Sequence, residues 1–280
     1  GGGIKGAAHI GALKAFEEEN ISFQYVSGAS SGSIVAALYA CGYTSDEIYD
    51  LFKTYAKKIK YVEWKNIFKL IVGLIFKREI IINGLNSGKV IEEIMEQACS
   101  QKGILDIKDI QKNYLFQVYG LNSGTVYLFS SIPPSRDYSD QIKYVTDISI
   151  AKAVRASCSF PGIFSPCKYQ DEQLVDGGIR ENVPWKELKA SGVETVISIV
   201  FPKRIKYKKC KNIIDVISNS IDYMSHELSN YELEGADYLL KINTINTSLL
   251  DTSKLDYFYQ KGYEETKRKM KEIKRMIQKS

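Results

Sequence analysis

Apolar positions recur with a helical period from Gly6 to Asn20, where Ala8, Gly11, Ala12, Ala15 and Phe16 share one face and the Glu run lies opposite. That stretch predicts a helix. Phe23 to Ser27 is a short apolar run, followed by the small residues Gly28 to Gly32 and then the Ala-, Ile- and Val-rich stretch Ser33 to Ala40. The pattern predicts strand, tight turn and helix, with Gly42 as the stop. Leu115 to Leu121 and Val126 to Ser130 flank a polar Asn-Ser-Gly-Thr turn and predict a hairpin. Leu174-Val175 reads as a strand ending at Asp176-Gly177-Gly178. Thr195 to Phe201 is continuously apolar, as expected of a strand buried on both faces. From residue 211 onward the period is helical, with Tyr238 to Ile242 as the one further strand. Strands alternating with helices predict an α/β fold, a mixed sheet with helices on both sides.

The chain has 280 residues, 25% of them charged and 44% hydrophobic, enough for a sizeable core and unlike a disordered chain. No stretch of 18 apolar residues predicts a transmembrane helix. Five cysteines without a C-x-x-C pair point to a reducing compartment rather than a disulfide framework. Metal-ligand clusters are absent from the sequence, so neither a metal nor a cofactor is expected. The net charge of +5 is modest, and no recognised nucleic-acid module accompanies it. Opening on Gly1-Gly2-Gly3 with neither Met nor an apolar leader, the sequence reads as cut from within a longer chain. A cytoplasmic or peripheral-membrane location is expected, with secretion left open.

Two stretches combine apolar and basic residues. Lys57 to Leu85 mixes Trp64, Phe68, Ile71 and Phe76 with Lys58, Lys60, Lys65, Lys69, Lys77 and Arg78, which suits a helix on the sheet, an interfacial helix or a lid. Lys267 to Ser280 carries seven Lys or Arg and one Glu, with Met270, Ile273, Met276 and Ile277 on one face. It reads as a solvated final helix docked on the core.

The chemistry concentrates at three glycine-rich turns. Gly28-x-Ser30-x-Gly32 between a strand and a helix is a nucleophile elbow, which exposes the hydroxyl beside a helix N-terminus. Gly1-Gly2-Gly3-Ile4-Lys5-Gly6 ahead of the first helix lets backbone N–H groups converge on an anion. It fits neither nucleotide fingerprint in full, and beside an elbow it is better read as an oxyanion hole. The base is less obvious, because only His9 and His226 are available. His9 in the first helix reads as a packed histidine bonded to a backbone carbonyl. His226 completes the order Ser30, Asp176, His226 of a triad, yet lies in a helical stretch without turn residues. Asp176 itself, at a strand end and flanked by Gly177 and Gly178, can act as base if it is partly desolvated.

Together these motifs resemble the patatin-like phospholipases, serine lipid acyl hydrolases with a Ser–Asp dyad. The resemblance runs through Gly1 to Gly6, Gly28 to Gly32, Arg155-Ala156-Ser157-Cys158-Ser159-Phe160-Pro161, Asp176-Gly177-Gly178 and Asn182-Val183-Pro184. It implies a three-layer sandwich around a central mixed, mainly parallel sheet, with 1–210 as catalytic core, 57–85 as a lid or interfacial insertion and 211–280 as a helical extension on the core. By the same resemblance, Ser30 is the nucleophile and Asp176 the base. Gly2, Gly3 and Ser31 form the oxyanion hole, Lys5 meets a lipid phosphate or the loop, and His9 keeps a packing role. Implied partners are phospholipid at a membrane surface and, as some relatives require, a protein activator. A triad esterase or thioesterase using His226, or a non-catalytic lipid-binding protein, stands as the alternative.

Overall fold

The computed structural model describes residues 2–58, 63–73, 76, 82–133, 141–202, 210, 213–245, 247 and 251–279, with some side chains between 213 and 226 undescribed. Gly1 and parts of the 57–85 stretch lie outside them.

The centre of the fold is β3 (Asn113–Gly120), whose aromatic and β-branched residues are buried along nearly its whole length. On one edge it pairs antiparallel with β4 (Val126–Ser130), the expected hairpin. β4 continues the sheet parallel to β5 (Ile142–Val145). The other edge of β3 is shared by two strands. β1 (Tyr25–Ser27) runs parallel to it over Asn113 to Leu115, and β8 (Glu172–Val175) runs antiparallel at Tyr119 and Gly120. β7 (Cys167–Tyr169) extends the sheet beyond β8.

This arrangement positions the site. Because β1 and β8 run in opposite directions along one edge, their C-terminal ends point at each other. Ser27 stands opposite Leu115 and Val175 opposite Tyr119, four β3 residues or roughly 13 Å apart. Residues 28–30 and 176–178 leave the sheet into that gap. Gly177 crosses β3 so closely that a Cβ there would lie 2.1 Å from the Gln117 carbonyl.

Side chains of β3 alternate between two layers, as the pleat requires. Tyr114, Phe116 and Val118 join Phe129 in the main core with α2 (Ser31–Ala40) and α6 (Ile150–Ser157). Leu115 faces the other way, packing with Leu128, Leu188 and Val196 under α7 (Trp185–Ala190). Two short parallel ladders lie outside this sheet: β2 (Gly84–Asn86) with β6 (Gly162–Phe164), and β9 (Ile197–Val200) with β10 (Tyr238–Lys241). The fold is thus a mixed α/β sheet between helices. Among the described residues, two of the central sheet's five ladders are parallel (β1–β3 and β4–β5) and three antiparallel, and both outlying ladders are parallel.

β9 differs from the fully buried strand that its apolar run suggests. Its residues alternate between half-buried and buried, because Ile197, Ser198 and Ile199 border a cavity of about 400 Å³. The opposite wall of that cavity is β1, and no ladder joins β1 to β9 among the described residues.

The C-terminal basic stretch falls within α9 (Leu255–Ile277), which lies against α1 (Ala7–Glu18). Two glycines permit the close crossing: a Cβ on Gly11 would meet the Tyr259 carbonyl at 1.9 Å, and one on Gly262 the Ala8 carbonyl at 1.9 Å. Met270 and Ile273 are buried, whereas Ile277 is exposed. Lys267 and Lys274 reach Glu19 at 2.8 and 2.6 Å, so part of the basic charge is answered within the chain. Among the described residues, no helix is long and apolar enough to cross a membrane.

Candidate active site

Ser30 sits at the bend between β1 and α2 with φ 53° and ψ −126°, a backbone conformation that a side-chain-bearing residue adopts only when its surroundings enforce it. Gly28 helps to enforce it, since a Cβ there would come within 2.4 Å of the Gly32 backbone. Two hydroxyls complete the brace. Ser157 Oγ accepts the Ser30 N–H at 3.0 Å, and Ser33 Oγ donates to the Ser30 carbonyl at 2.6 Å. Ser31 opens α2, so its N–H has no acceptor within the helix and stands beside the nucleophile candidate.

Asp176 follows β8 and is 1% exposed. Its Oδ1 accepts the Gly178 N–H at 2.8 Å, and its buried Oδ2 has no well-formed hydrogen bond. Burial pushes the carboxyl up to about 6, against the opposing pull of hydrogen bonds from the Gly178 amide and the Ser30 hydroxyl. Ser30 and Asp176 border the same cavity, so the hydroxyl and the carboxyl share one site.

One segment holds both halves in register. The end of α6 supplies the Ser157 hydroxyl to Ser30, and the Ser159 carbonyl accepts the Asp176 N–H at 3.2 Å. Arg155 anchors this segment from beneath. It is buried and donates to the Ser165 carbonyl at 2.6 Å, and to Ser159 Oγ and the Ser87 carbonyl through shorter contacts.

The glycine loop lies across from these groups. Gly2 and Gly3 have φ of 131° and 57°, and the loop enters a single 3₁₀ turn (Gly3–Gly6) before α1. Gly6 packs on Ser31, where a Cβ would sit 2.9 Å from that side chain. Gly2, Gly3, Lys5, Ser30, Ser31, Asp176 and Gly178 all border one cavity of about 500 Å³. Its other walls are mostly apolar, with Phe52 and Tyr55 of α3 (Ser45–Lys58) and Ile91, Ile94 and Met95 of α5 (Lys89–Gln101). Such a site joins a polar reaction centre to room for an aliphatic chain. Cys158 also borders it, but burial and the Asp176 charge push its thiol up to about 12, so it stays protonated.

The remaining candidates separate. Gly28, Gly32 and Gly177 serve the backbone bends, and Gly1 lies outside the described residues. His9 borders the second cavity instead, its ring 4.8 Å from that of Phe201. Burial lowers it to about 3, and its Nε2 lacks the carbonyl partner expected from the sequence. His226 falls within α8 (Ile213–Glu232), with its side chain outside the described residues. Lys241 borders the main cavity without having been a candidate, because nothing local marks it, and Asn182 of the Asn182-Val183-Pro184 motif borders it too. The helical spacing of Ile91, Ile94, Met95 and Ala98, which the sequence reading passed over, is the signal that marks the buried face of α5.

The patatin-like phospholipase profile matches residues 1–189. The uncharacterized protein YqhO of Bacillus subtilis is 30% identical over 232 residues, covering 76% of this chain and 73% of that protein. Lysophospholipase NTE1 of Meyerozyma guilliermondii is 26% identical over 199 residues, 71% of this chain but only 12% of that protein. Among solved structures, VipD from Legionella pneumophila aligns with a TM-score of 0.47 at 17% identity, over 96% of this chain and 65% of that one. By the extent of the profile match and the likeness to YqhO, the chain belongs to the patatin-like phospholipase family.

Proposed function

We propose that this lipid ester hydrolase releases fatty acid from glycerophospholipids and lysophospholipids through an acyl-enzyme on Ser30, with Asp176 as the base. The observation that carries the reading is a buried carboxylate and a strained serine that border one largely apolar cavity. Asp176 accepts the hydroxyl proton as Ser30 Oγ attacks the ester carbonyl. The oxyanion that forms meets the N–H groups of Gly2, Gly3 and Ser31 at the start of α2. Asp176 then returns the proton to the departing alcohol, and later takes one from the water that frees the fatty acid. The acyl chain lies along Phe52, Tyr55, Ile94 and Met95, and Lys5 and Lys241 border the same cavity as charges for a lipid phosphate.

Labelling by a fluorophosphonate probe tests the nucleophile. Ser30 is the expected adduct site, and Ser30→Ala is expected to abolish labelling. Ser157→Ala removes the acceptor for the Ser30 N–H and is expected to slow labelling roughly tenfold or more, as loss of a positioning hydrogen bond does. In turnover its effect falls on kcat rather than KM, and Ser157→Thr, which keeps the hydroxyl, restores it. Labelling at another residue, or at full rate without Ser30, overturns the assignment.

A further inference from the structure

The helix α4 (Trp64–Val72) is amphipathic in the reverse sense. The residue that it buries is polar: Asn66 is 9% exposed and donates from Nδ2 to the Leu85 carbonyl at 3.1 Å. The Glu63 N–H adds a 3.0 Å bond to the same carbonyl, and Glu63 Oε1 accepts from Ser87 Oγ at 2.6 Å. Fastened to β2 by polar groups, the helix turns Trp64, Phe68 and Ile71 to solvent, with Trp64 82% and Phe68 68% exposed. Those three positions, spaced i, i+4, i+7, form one stripe. Lys65 and Lys69 flank it, and Lys57 and Lys58 at the end of α3 are also exposed.

Charge adds a second, independent observation. The stretch 57–85 contains seven Lys or Arg and two Glu, a net +5 equal to that of the whole chain, so the other residues balance to zero. Two segments carry this basic excess, 57–85 and Lys267 to Ser280, and in the first of them the basic residues accompany the exposed Trp64 and Phe68. The same region adjoins the cavity: α4 sits on β2, β2 pairs with β6, and Ile163 and Phe164 of β6 line the wall. On α8, Ser229 and Asn230 also line the cavity, and Met224, Leu228 and Tyr231 are exposed on the same helix.

We propose that the α4 face docks on bilayers containing anionic phospholipid, with Trp64, Phe68 and Ile71 entering the interface and the lysines meeting headgroups. This bilayer site rests on the hydrolase reading only for its purpose, since binding is measured without turnover. Glu63 beside the stripe pairs with Lys65 at 2.8 Å and leaves the rim net basic, and an anionic interface takes the basic rim and the aromatic stripe at once.

The test is co-sedimentation of the full chain with vesicles of phosphatidylcholine alone or mixed with phosphatidylglycerol, alongside turnover of a water-soluble short-chain ester. Binding is expected to be at least tenfold tighter to the mixed vesicles and to weaken in high salt. Lys65→Gln with Lys69→Gln is expected to lose roughly 25-fold of that affinity, about fivefold per lysine. Trp64→Ala with Phe68→Ala is expected to lose more than tenfold while short-chain turnover stays unchanged. Trp64 and Trp185 are the two tryptophans, so the blue shift of emission on binding should vanish in Trp64→Phe, which still binds. Equal binding to neutral vesicles, or full binding by the Trp64/Phe68 variant, overturns the proposal. So does concentration-dependent self-association that this variant abolishes, which would make the face a contact between two copies. Absence of short-chain turnover would instead count against the hydrolase reading and leave the vesicle result to stand alone.

Discussion

Asp176→Asn is expected to lower fatty-acid release from lysophospholipid by on the order of 10³ to 10⁴, the contribution of a positioned general base. Ser30→Ala is expected to lose at least as much, and the double variant little more, because the two groups act as one unit. The amide preserves the local structure: its oxygen can still accept the Gly178 N–H, and its volume matches the carboxylate. What it lacks is a site for the Ser30 proton. Mass-spectrometric quantification of released fatty acid, with circular dichroism as a check on folding, reads the effect. Activity of Asp176→Asn within tenfold of the parent would remove Asp176 from the base role.

The same substitution is expected to raise stability. Burial lifts the Asp176 carboxyl from its ordinary 3.8 to about 6, so the folded state holds this proton more tightly than the unfolded chain. Below about pH 4 both states are protonated and ionisation costs nothing. Between there and about pH 6 the unfolded chain ionises while the folded site does not, and stability falls as pH rises. Above pH 6 the full penalty applies, roughly 3 kcal/mol for a displacement of this size. Asparagine never ionises, so Asp176→Asn should unfold about 5 °C or more above the parent at pH 8 and at nearly the same temperature at pH 4. Thermal melts at the two pH values measure it. An unchanged or lowered melting temperature at pH 8 would mean that the carboxylate is solvated or paired. The expected trade of stability for activity is what a charge kept in a dry site for chemistry entails.

Much of this site was legible in the sequence because its parts are local. Gly28 to Gly32 specifies a bend through steric constraints among neighbours, and a glycine at 28 is required by the backbone four residues on. Asp176-Gly177-Gly178 likewise announces a turn after a strand. Their convergence was not legible, since it depends on β1 and β8 meeting along one edge of β3, a pairing that no local pattern encodes. Ser157 reaches Ser30 across 127 residues of chain, and it entered the sequence reading only through a motif resemblance. For α4, the sequence showed apolar and basic residues mixed in one stretch but not which of them point outward. The anchoring of Asn66 and Glu63 on β2 decides that, and it turns the aromatic side to water. The apolar run of β9 suggested two buried faces, and the cavity beside it leaves Ile197 and Ile199 half-buried.

In the proposed dyad an isolated carboxylate activates Ser30 without imidazole. The chain contains two histidines, so His9→Leu with His226→Gln gives a protein with none. The decisive measurement is the pH dependence of kcat/KM of this variant on a soluble ester. A base that must be ionised makes the rate rise with pH and level off above its own titration. Parent-like turnover is expected, with a half-maximal rate near pH 6, on a limb that disappears with Asp176→Asn. A folded histidine-free protein that no longer turns over, beside an Asp176→Asn variant that still does, would contradict the dyad.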